Sequence, residues 1–384
     1  MRFPLLSGSR VLAAAVWALA SATAAPAQTP DSAGRPIDIR GLDQSALPGA
    51  EDRYPLQVTG FGVASYHLDG RTRDNSFAAG KLAVALFREI NDYAYLFGQL
   101  TTALERDEST GAPATNTEID NLLLSVTVPG ATGVAVAMGK LDLPIGFERD
   151  DEPLNFLASP SFNADLARPL KMTGLMGSWA IGPRADLSGF VFNGWEGDLD
   201  PNHGKSVGAR LGAMPADRLS LGLSGLYGPE GNQGSTADRY LLTFDYAVQP
   251  SWDWIVAGEA NLGGDRHVLP AGGDATWGGG MMTVFHQLSR HLGVAARAEL
   301  FRDGDGARTG LAQTLTSYTL APIYSLGVGR EGIFANVQHT TFRIPRLQLR
   351  VELRLNHSTA PFFETRNGPG TWGIEYRLQA VTTF

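Results

Sequence analysis

The sequence contains no cysteine, which excludes disulfide scaffolds, thiolate metal centres, cysteine nucleophiles and thiol-linked lipid anchors. Charge is scarce: 18% of the 384 residues are Asp, Glu, Lys or Arg, low for a soluble enzyme. Lysine is confined to Lys81, Lys140, Lys171 and Lys205. With Lys+Arg 31 against Asp+Glu 39, the net charge of -8 leaves no electrostatic footprint for a nucleic-acid partner. No stretch reaches the roughly 18 apolar residues that a helix needs to cross a bilayer, so a membrane role falls to strands. The mean hydropathy of -0.09 is compatible with that, because alternating segments average out.

The first residues read as an address. Arg2 and Arg10 supply a positive region, Val11 to Ala20 an apolar run, and Ala25-Pro26-Ala27 a small-residue cleavage site. The expected organisation is a signal peptide over 1–27, with cleavage after Ala24 as the alternative, then a periplasmic segment over 28–55 and a barrel over 56–384.

The most informative stretch is Arg346 to Asn356. Arg346, Gln348, Arg350, Glu352, Arg354 and Asn356 alternate there with Leu347, Leu349, Val351, Leu353 and Leu355. That is a strand with one wet and one apolar face. The C-terminus repeats it, with Trp372, Ile374, Tyr376, Leu378, Ala380 and Phe384 opposing Glu375, Arg377, Gln379 and Thr383. Weaker copies run from Leu219 to Ser224, Arg239 to Tyr246 and Leu292 to Glu299.

Between the strands, short and long connections alternate. Short ones fall at Arg88–Asp92, Pro129–Thr132, Gly182–Ala185, Met214–Asp217, Gln249–Ser251 and Leu288–Arg290. Long ones fall at His67–Ser76, Glu105–Thr117, Pro144–Pro169, Glu196–His203, Pro229–Thr236, Gly263–Asp274, Asp303–Thr314 and Ser358–Gly370. A hairpin array trimmed at one end and elaborated at the other predicts an all-β, transmembrane, antiparallel up-and-down barrel of about sixteen strands, with short periplasmic turns and long extracellular loops. Gly327–Pro345 breaks the rule, being long where a tight turn belongs; an extra hairpin or a periplasmic excursion would explain it. Trp252 and Tyr246 beside short turns, and Trp195, Tyr227 and Trp372 beside long loops, fit two interfacial girdles; the general liking of aromatics for strands would also place them there.

Several motifs lose their usual meaning here. Gly327 to Gly332 matches G-x-G-x-x-G without the helix that a dinucleotide needs. Gly204-Lys205-Ser206-Val207-Gly208 matches G-x-S-x-G but runs from a loop into a strand, where no nucleophile elbow forms. Asp198, Asp200 and Asn202 have calcium-loop spacing, but His203 and Ala209 stand where the turn glycine and the bidentate glutamate belong. The seven histidines form no ligand pair. No metal and no cofactor is expected.

In a barrel this wide, inward polar residues are expected to line water. Alternation puts Arg210, Arg239, Arg297, Arg350, Arg354 and Arg377 inside, with Asp245, Asp253, Glu259, Glu299, Glu352 and Glu375. The longest connection, Pro144–Pro169, is the third outer loop and carries Glu148, Arg149, Asp150, Asp151 and Glu152. Folded inward, these would face the arginine wall in a transverse field that screens solutes; the alternative is an exposed surface loop.

The closing run from Tyr376 to Phe384 resembles the C-terminal assembly signal of Gram-negative outer-membrane proteins. Gly139-Lys140-Leu141-Asp142-Leu143-Pro144-Ile145-Gly146-Phe147-Glu148, the run Arg350 to Ser358 and Val58-Thr59-Gly60-Phe61-Gly62 resemble porin-type barrels, including the phosphate-selective porin-like group. The resemblance implies passive diffusion of small hydrophilic solutes, a third loop narrowing the bore, a homotrimer, and contact with outer-membrane lipid, lipopolysaccharide and the barrel-assembly machinery. The chain departs from the phosphate-selective group in having four lysines rather than a lysine-rich capture site. Two rivals stay open: a non-conducting structural or surface-binding barrel, and a lipid-acting barrel enzyme using Ser206.

Overall fold

The computed structural model describes residues 54–106, 113–195, 197–200, 202–230, 237–269, 272–327, 333–337 and 340–384. The expected signal peptide, and all but the last two residues of the expected periplasmic segment, lie outside the described residues.

The chain runs through β1 (Gln57–Asp69), β2 (Asn75–Asn91), β3 (Ala94–Arg106), β4 (Pro113–Thr127), β5 (Val134–Asp142) and β6 (Lys171–Ala180). It continues through β7 (Ala185–Phe192), β8 (Ser206–Ala216), β9 (Leu219–Pro229), β10 (Asp238–Ser251), β11 (Trp254–Leu269) and β12 (Gly273–Gln287). Then come β13 (Leu292–Asp303), β14 (Gln313–Leu326), β15 (Ile333–Val337), β16 (Thr340–Ile344), β17 (Leu347–Ser358) and β18 (Trp372–Thr383). All but β15 and β16 form one closed antiparallel barrel, in which each strand pairs with its neighbour and β14 pairs directly with β17. Closure leaves no sheet edge, the condition for a strand structure inside hydrocarbon.

The irregular connection after β14 therefore holds an extra hairpin, β15 paired with β16 in a separate sheet, and the barrel count stays at sixteen. Its second strand lies against β10, on another part of the wall.

The two-solvent pattern is visible in β17. Arg350 and Glu352 are 0% and 1% exposed, whereas Val351 between them is 54% exposed on the outer surface. The seam joins β1 to β18, with Phe61 opposite Thr383 and the backbones of Gly60 and Phe384 exchanging two 3.0 Å hydrogen bonds. Gly60 is required there, because a Cβ would lie 2.7 Å from the Phe384 ring and 2.2 Å from the Ala83 carbonyl oxygen. Tyr376 and Phe384 both sit exposed on β18 or just beyond it.

Some local expectations differ from the structure. Gly263–Asp274 is mostly strand, since β11 and β12 extend as a ladder to Leu269 and Gly273. Gly263 and Gly264 read as loop residues, but a Cβ at Gly263 would lie 2.6 Å from the Trp277 ring, so the glycine is a packing requirement within the ladder. Trp195 is not in an outer girdle; it lies inside, edge-on to Trp277 with ring centroids 6.2 Å apart. Asp253 occupies the β10–β11 turn, where it accepts a hydrogen bond from Ser251, and is not on the wall.

Val351→Arg should cost about 2–4 kcal/mol by placing a guanidinium in hydrocarbon near mid-strand, whereas Val351→Leu should be neutral. Urea unfolding in lipid vesicles measures both; equal midpoints would contradict the assigned facing.

Candidate functional site

The connection between β5 and β6, residues 143–170, is the longest in the barrel and lies against its inner face. It holds a 3-10 turn at Glu152–Leu154 and a π-helical turn at Asn163–Ala167. Its apolar residues explain the direction. Leu143 and Ile145 pack with Phe97, Met176 and Phe190 of one inner wall, and Phe147, Phe156 and Leu157 with Ile255, Met281 and Ile323 of the other. The inner wall is thus not uniformly polar; its apolar patches are covered by the loop, and each large side chain so buried contributes about 1.5–3 kcal/mol. Gly146, at φ 71°, makes the turn between the two patches, and a Cβ there would lie 2.3 Å from Arg168 Nε and 2.4 Å from Glu259 Oε2.

The wall charges hold the same loop. Arg297 donates to Glu148 at 2.6 Å and to the Ser159 carbonyl at 2.8 Å. Glu299 accepts from the Phe162 backbone at 2.6 Å and from Arg354 at 3.1 Å. Arg354 also donates to the Pro160 carbonyl at 2.9 Å, with its guanidinium 4.4 Å from the Phe162 ring centroid. Glu352 accepts from the Ala158 backbone at 2.7 Å. Arg350 donates to the carbonyls of Leu157, Glu152 and Asn155 at 3.2, 2.9 and 2.6 Å. From within the loop, Arg168 reaches Glu259 at 2.9 Å, and Glu259 also accepts from the Phe147 backbone at 2.6 Å. These charge-assisted bonds run between groups withdrawn from water.

Asp253 apart, the side chains expected on the wall have surroundings that differ from a water-lined bore. Arg297, Glu299, Arg350, Glu352 and Arg354 are buried under the loop. Arg210 is buried in a pair with Asp245, one bond being 2.9 Å. Arg239 pairs with Asp265 at 2.6 Å and lies 4.8 Å from the Trp195 ring centroid. Glu375 and Arg377 pair at 3.0 Å and stay half-buried, with His67 3.5 Å from Glu375.

The loop's own charges divide in two. Glu148 and Arg149 are buried; Arg149 donates to the Leu143 carbonyl at 3.2 Å. Burial, with Arg168 and Arg210 nearby, lowers Arg149 to about 10, so it stays charged at neutral pH. Asp150, Asp151 and Glu152 face the opposite wall, β2 to β6. Lys81 lies 3.6 Å from Asp150 and 3.5 Å from Glu152, and Gln99 donates to Asp151 at 3.0 Å. Lys171 contacts Asp142, Asp120 and Asp150 at 2.8, 2.9 and 3.1 Å. Burial raises Asp150, but Lys171 and Lys81 outweigh it and hold that carboxyl below its ordinary range. For Asp151, burial and the Asp142 carboxylate prevail over both lysines and push it up to about 7.

Ligand atoms of Asp120, Asp150 and Asp151 come within 4.8 Å of one another, a spacing that suits a metal. The Lys171 ammonium already stands beside Asp120 and Asp150, so a side-chain cation fills that role. Asp198 and Asp200 direct their carboxylates at Lys140 and Lys205, not at a shared calcium position. Ser206 is fully buried and donates to Glu230 at 2.7 Å. Between the loop, residues 197–198 and strands β4 to β6 lies a cavity of about 300 Å³.

Lys81, Asp120, Asp142, Arg168 and Lys171 did not stand out in the sequence. The available signal was lysine scarcity: three of the four lysines, Lys81, Lys140 and Lys171, contact carboxylates around the loop and this cavity.

A family model described as "Putative beta-barrel porin-2, OmpL-like" matches residues 71–384. No curated protein matches the sequence. Among solved structures, the outer membrane channel DcaP of Acinetobacter baumannii aligns with a TM-score of 0.61 at 9% identity, over 88% of this chain and 99% of that one. An anion-selective porin from Comamonas acidovorans aligns at 0.58 and 10% identity, over 86% and 100% of the two chains. OmpF of Salmonella typhi in complex with daunomycin aligns at 0.58 and 10% identity, over 86% and 97%. At such identities the likeness is one of fold.

Arg168→Met should leave the buried Glu259 carboxylate without its ionic partner, a loss of about 3–5 kcal/mol for pairs of this kind. Hydrogen exchange should then show lost protection at 143–170 with the barrel strands still protected. Unchanged loop protection would contradict the anchoring role.

Proposed function

This chain belongs to the beta-barrel porin-2, OmpL-like family and is an outer-membrane barrel of the porin type; we propose that small hydrophilic solutes and ions diffuse through it passively, past a constriction made by residues 143–170. The observation that carries this reading is the anchoring of that segment across the inner face by apolar packing and by Arg297, Arg350, Arg354 and Glu352. Ordered chain of this kind narrows a passage without sealing off the β2 to β6 side, where Asp150, Glu152, Lys81 and Lys171 keep partial exposure. Charged side chains there would hydrate the path and screen solutes by charge, the usual basis of pore selectivity.

Several further parts belong to the same proposal. Residues 1–27 direct export, the C-terminal run ending at Phe384 is read by the barrel-assembly machinery, lipopolysaccharide and lipid surround the outer face, and a homotrimer is the assembled form. Catalysis has no place in the reading, and a buried Ser206 held by Glu230 supports leaving the lipid-acting alternative aside.

In planar bilayers the purified protein should give stepwise conductance. Replacing residues 146–167 by a short Gly-Ser linker should raise the single-channel step several-fold. Silent bilayers with folded protein would reject the channel; an unchanged step after loop replacement would reject the constriction.

Asp151 supplies a pH dependence. With its carboxyl raised to about 7, it is neutral in acid and gains a negative charge as pH rises through that value. Between roughly pH 6 and pH 8 the wild-type channel should shift toward cations, and Asp151→Asn should remove that step. Reversal potentials taken across that range decide it.

A further inference from the structure

We propose that the passage favours cations, solutes bearing an ammonium or guanidinium group among them, and that Glu118 and Asp165 set this preference. The inference rests on the channel reading above and goes beyond it by assigning the charge of the solute.

The chain's arginines suggest the opposite at first sight. Arg168, Arg297 and Arg350 are 0%, 2% and 0% exposed, and each points its donors at carboxylates or loop carbonyls. Their charge is met locally, behind the loop, out of reach of a passing solute. The face left toward the cavity has another composition. Its lining includes five carboxylates, on Glu118, Asp120, Asp150, Asp165 and Asp198, against two ammonium groups, on Lys140 and Lys171.

Both ammonium groups are already engaged. Lys140 lies 3.1 Å from Asp198, and Lys171 is shared by Asp120 and Asp150 as well as by Asp142 outside the cavity. Glu118 and Asp165 make no ion pair or side-chain hydrogen bond among the described residues. Burial raises the Asp165 carboxyl above its ordinary range, and the positive groups that act against this and favour its charged form are Arg354 and Arg308. Arg354 is bonded to Glu299 and the Pro160 carbonyl, and Arg308 donates to the Leu166 carbonyl and lies over Trp277. An excess of negative charge therefore remains on a cavity with low-dielectric walls. Such walls focus the field along the passage and enrich counter-ions of the opposite sign.

Glu118 is exposed on β4, and the Asp165 side chain has no bonded partner to lose, so neutral isosteres there change charge and little else. The experiment is the reversal potential of single channels in a KCl gradient, at low salt where the Debye length is about 10 Å. Wild-type protein should pass potassium in preference to chloride. The double substitution Glu118→Gln/Asp165→Asn should lower the permeability ratio roughly two- to five-fold, as expected for two charges removed from a focused field. Lys140→Gln should raise it by freeing the Asp198 charge. If the double variant fails to fold, wild-type protein still decides, because its preference must weaken in about 1 M KCl, where the Debye length falls to about 3 Å. Open channels that prefer chloride, or ratios unmoved by all these changes, overturn the inference and leave the channel standing. Silent bilayers from folded protein overturn the channel, and the inference with it.

Discussion

An arginine inside a protein keeps its proton, so each buried guanidinium must be met by acceptors, and the inner wall of this barrel cannot supply enough of them. The loop between β5 and β6 makes up the deficit. Its carbonyls at Glu152, Asn155, Leu157, Ser159 and Pro160 receive Arg297, Arg350 and Arg354, while its backbone N–H groups at Phe147, Ala158 and Phe162 donate to Glu259, Glu352 and Glu299. Loop and wall satisfy one another reciprocally. Each stabilises the other, because an unpaired charge in that position costs several kcal/mol.

How much of this can be read from the residues alone depends on the range of the interaction. Facing along a strand is a local property with a period of two, so Arg350 and Glu352 inside and Val351 outside follow from adjacent letters. Hairpin order likewise follows from turn spacing, and even the irregular stretch after β14 announced itself by its length. What alternation does not carry is the third dimension of the interior. Nothing near Arg350 says that residue 157 will cover it, and nothing near Lys171 says that Asp120 and Asp150 will meet around it. Trp195 shows the same limit from the other side, since its position beside a long loop points to a lipid girdle, whereas it sits against Trp277. Glycine was misleading where it served packing: Gly263 looks like a loop residue and is a space left for an indole ring.

The proposed selectivity of the barrel rests on this division of charge. Arg168, Arg297, Arg350 and Arg354 are turned into fasteners, whereas Lys81, Lys171 and several carboxylates keep exposure on the other side. Composition alone would misjudge which charges stay exposed inside the barrel. The relevant quantity is the set of ions whose partners leave part of their field unspent, and burial decides membership in that set.

The seam between β1 and β18 joins positions 325 residues apart, at the bond from Thr59 to the Phe384 carbonyl. Chain entropy makes so distant a pairing one of the slowest to form, and until it forms the two flanking strands present bare amides and carbonyls to whatever surrounds them. In hydrocarbon that exposure is prohibitive, so insertion and sealing are coupled and a half-zipped cylinder has no stable resting place in the bilayer. Entry into the bilayer is accordingly tied to the closing of one seam between the two ends of the barrel sequence.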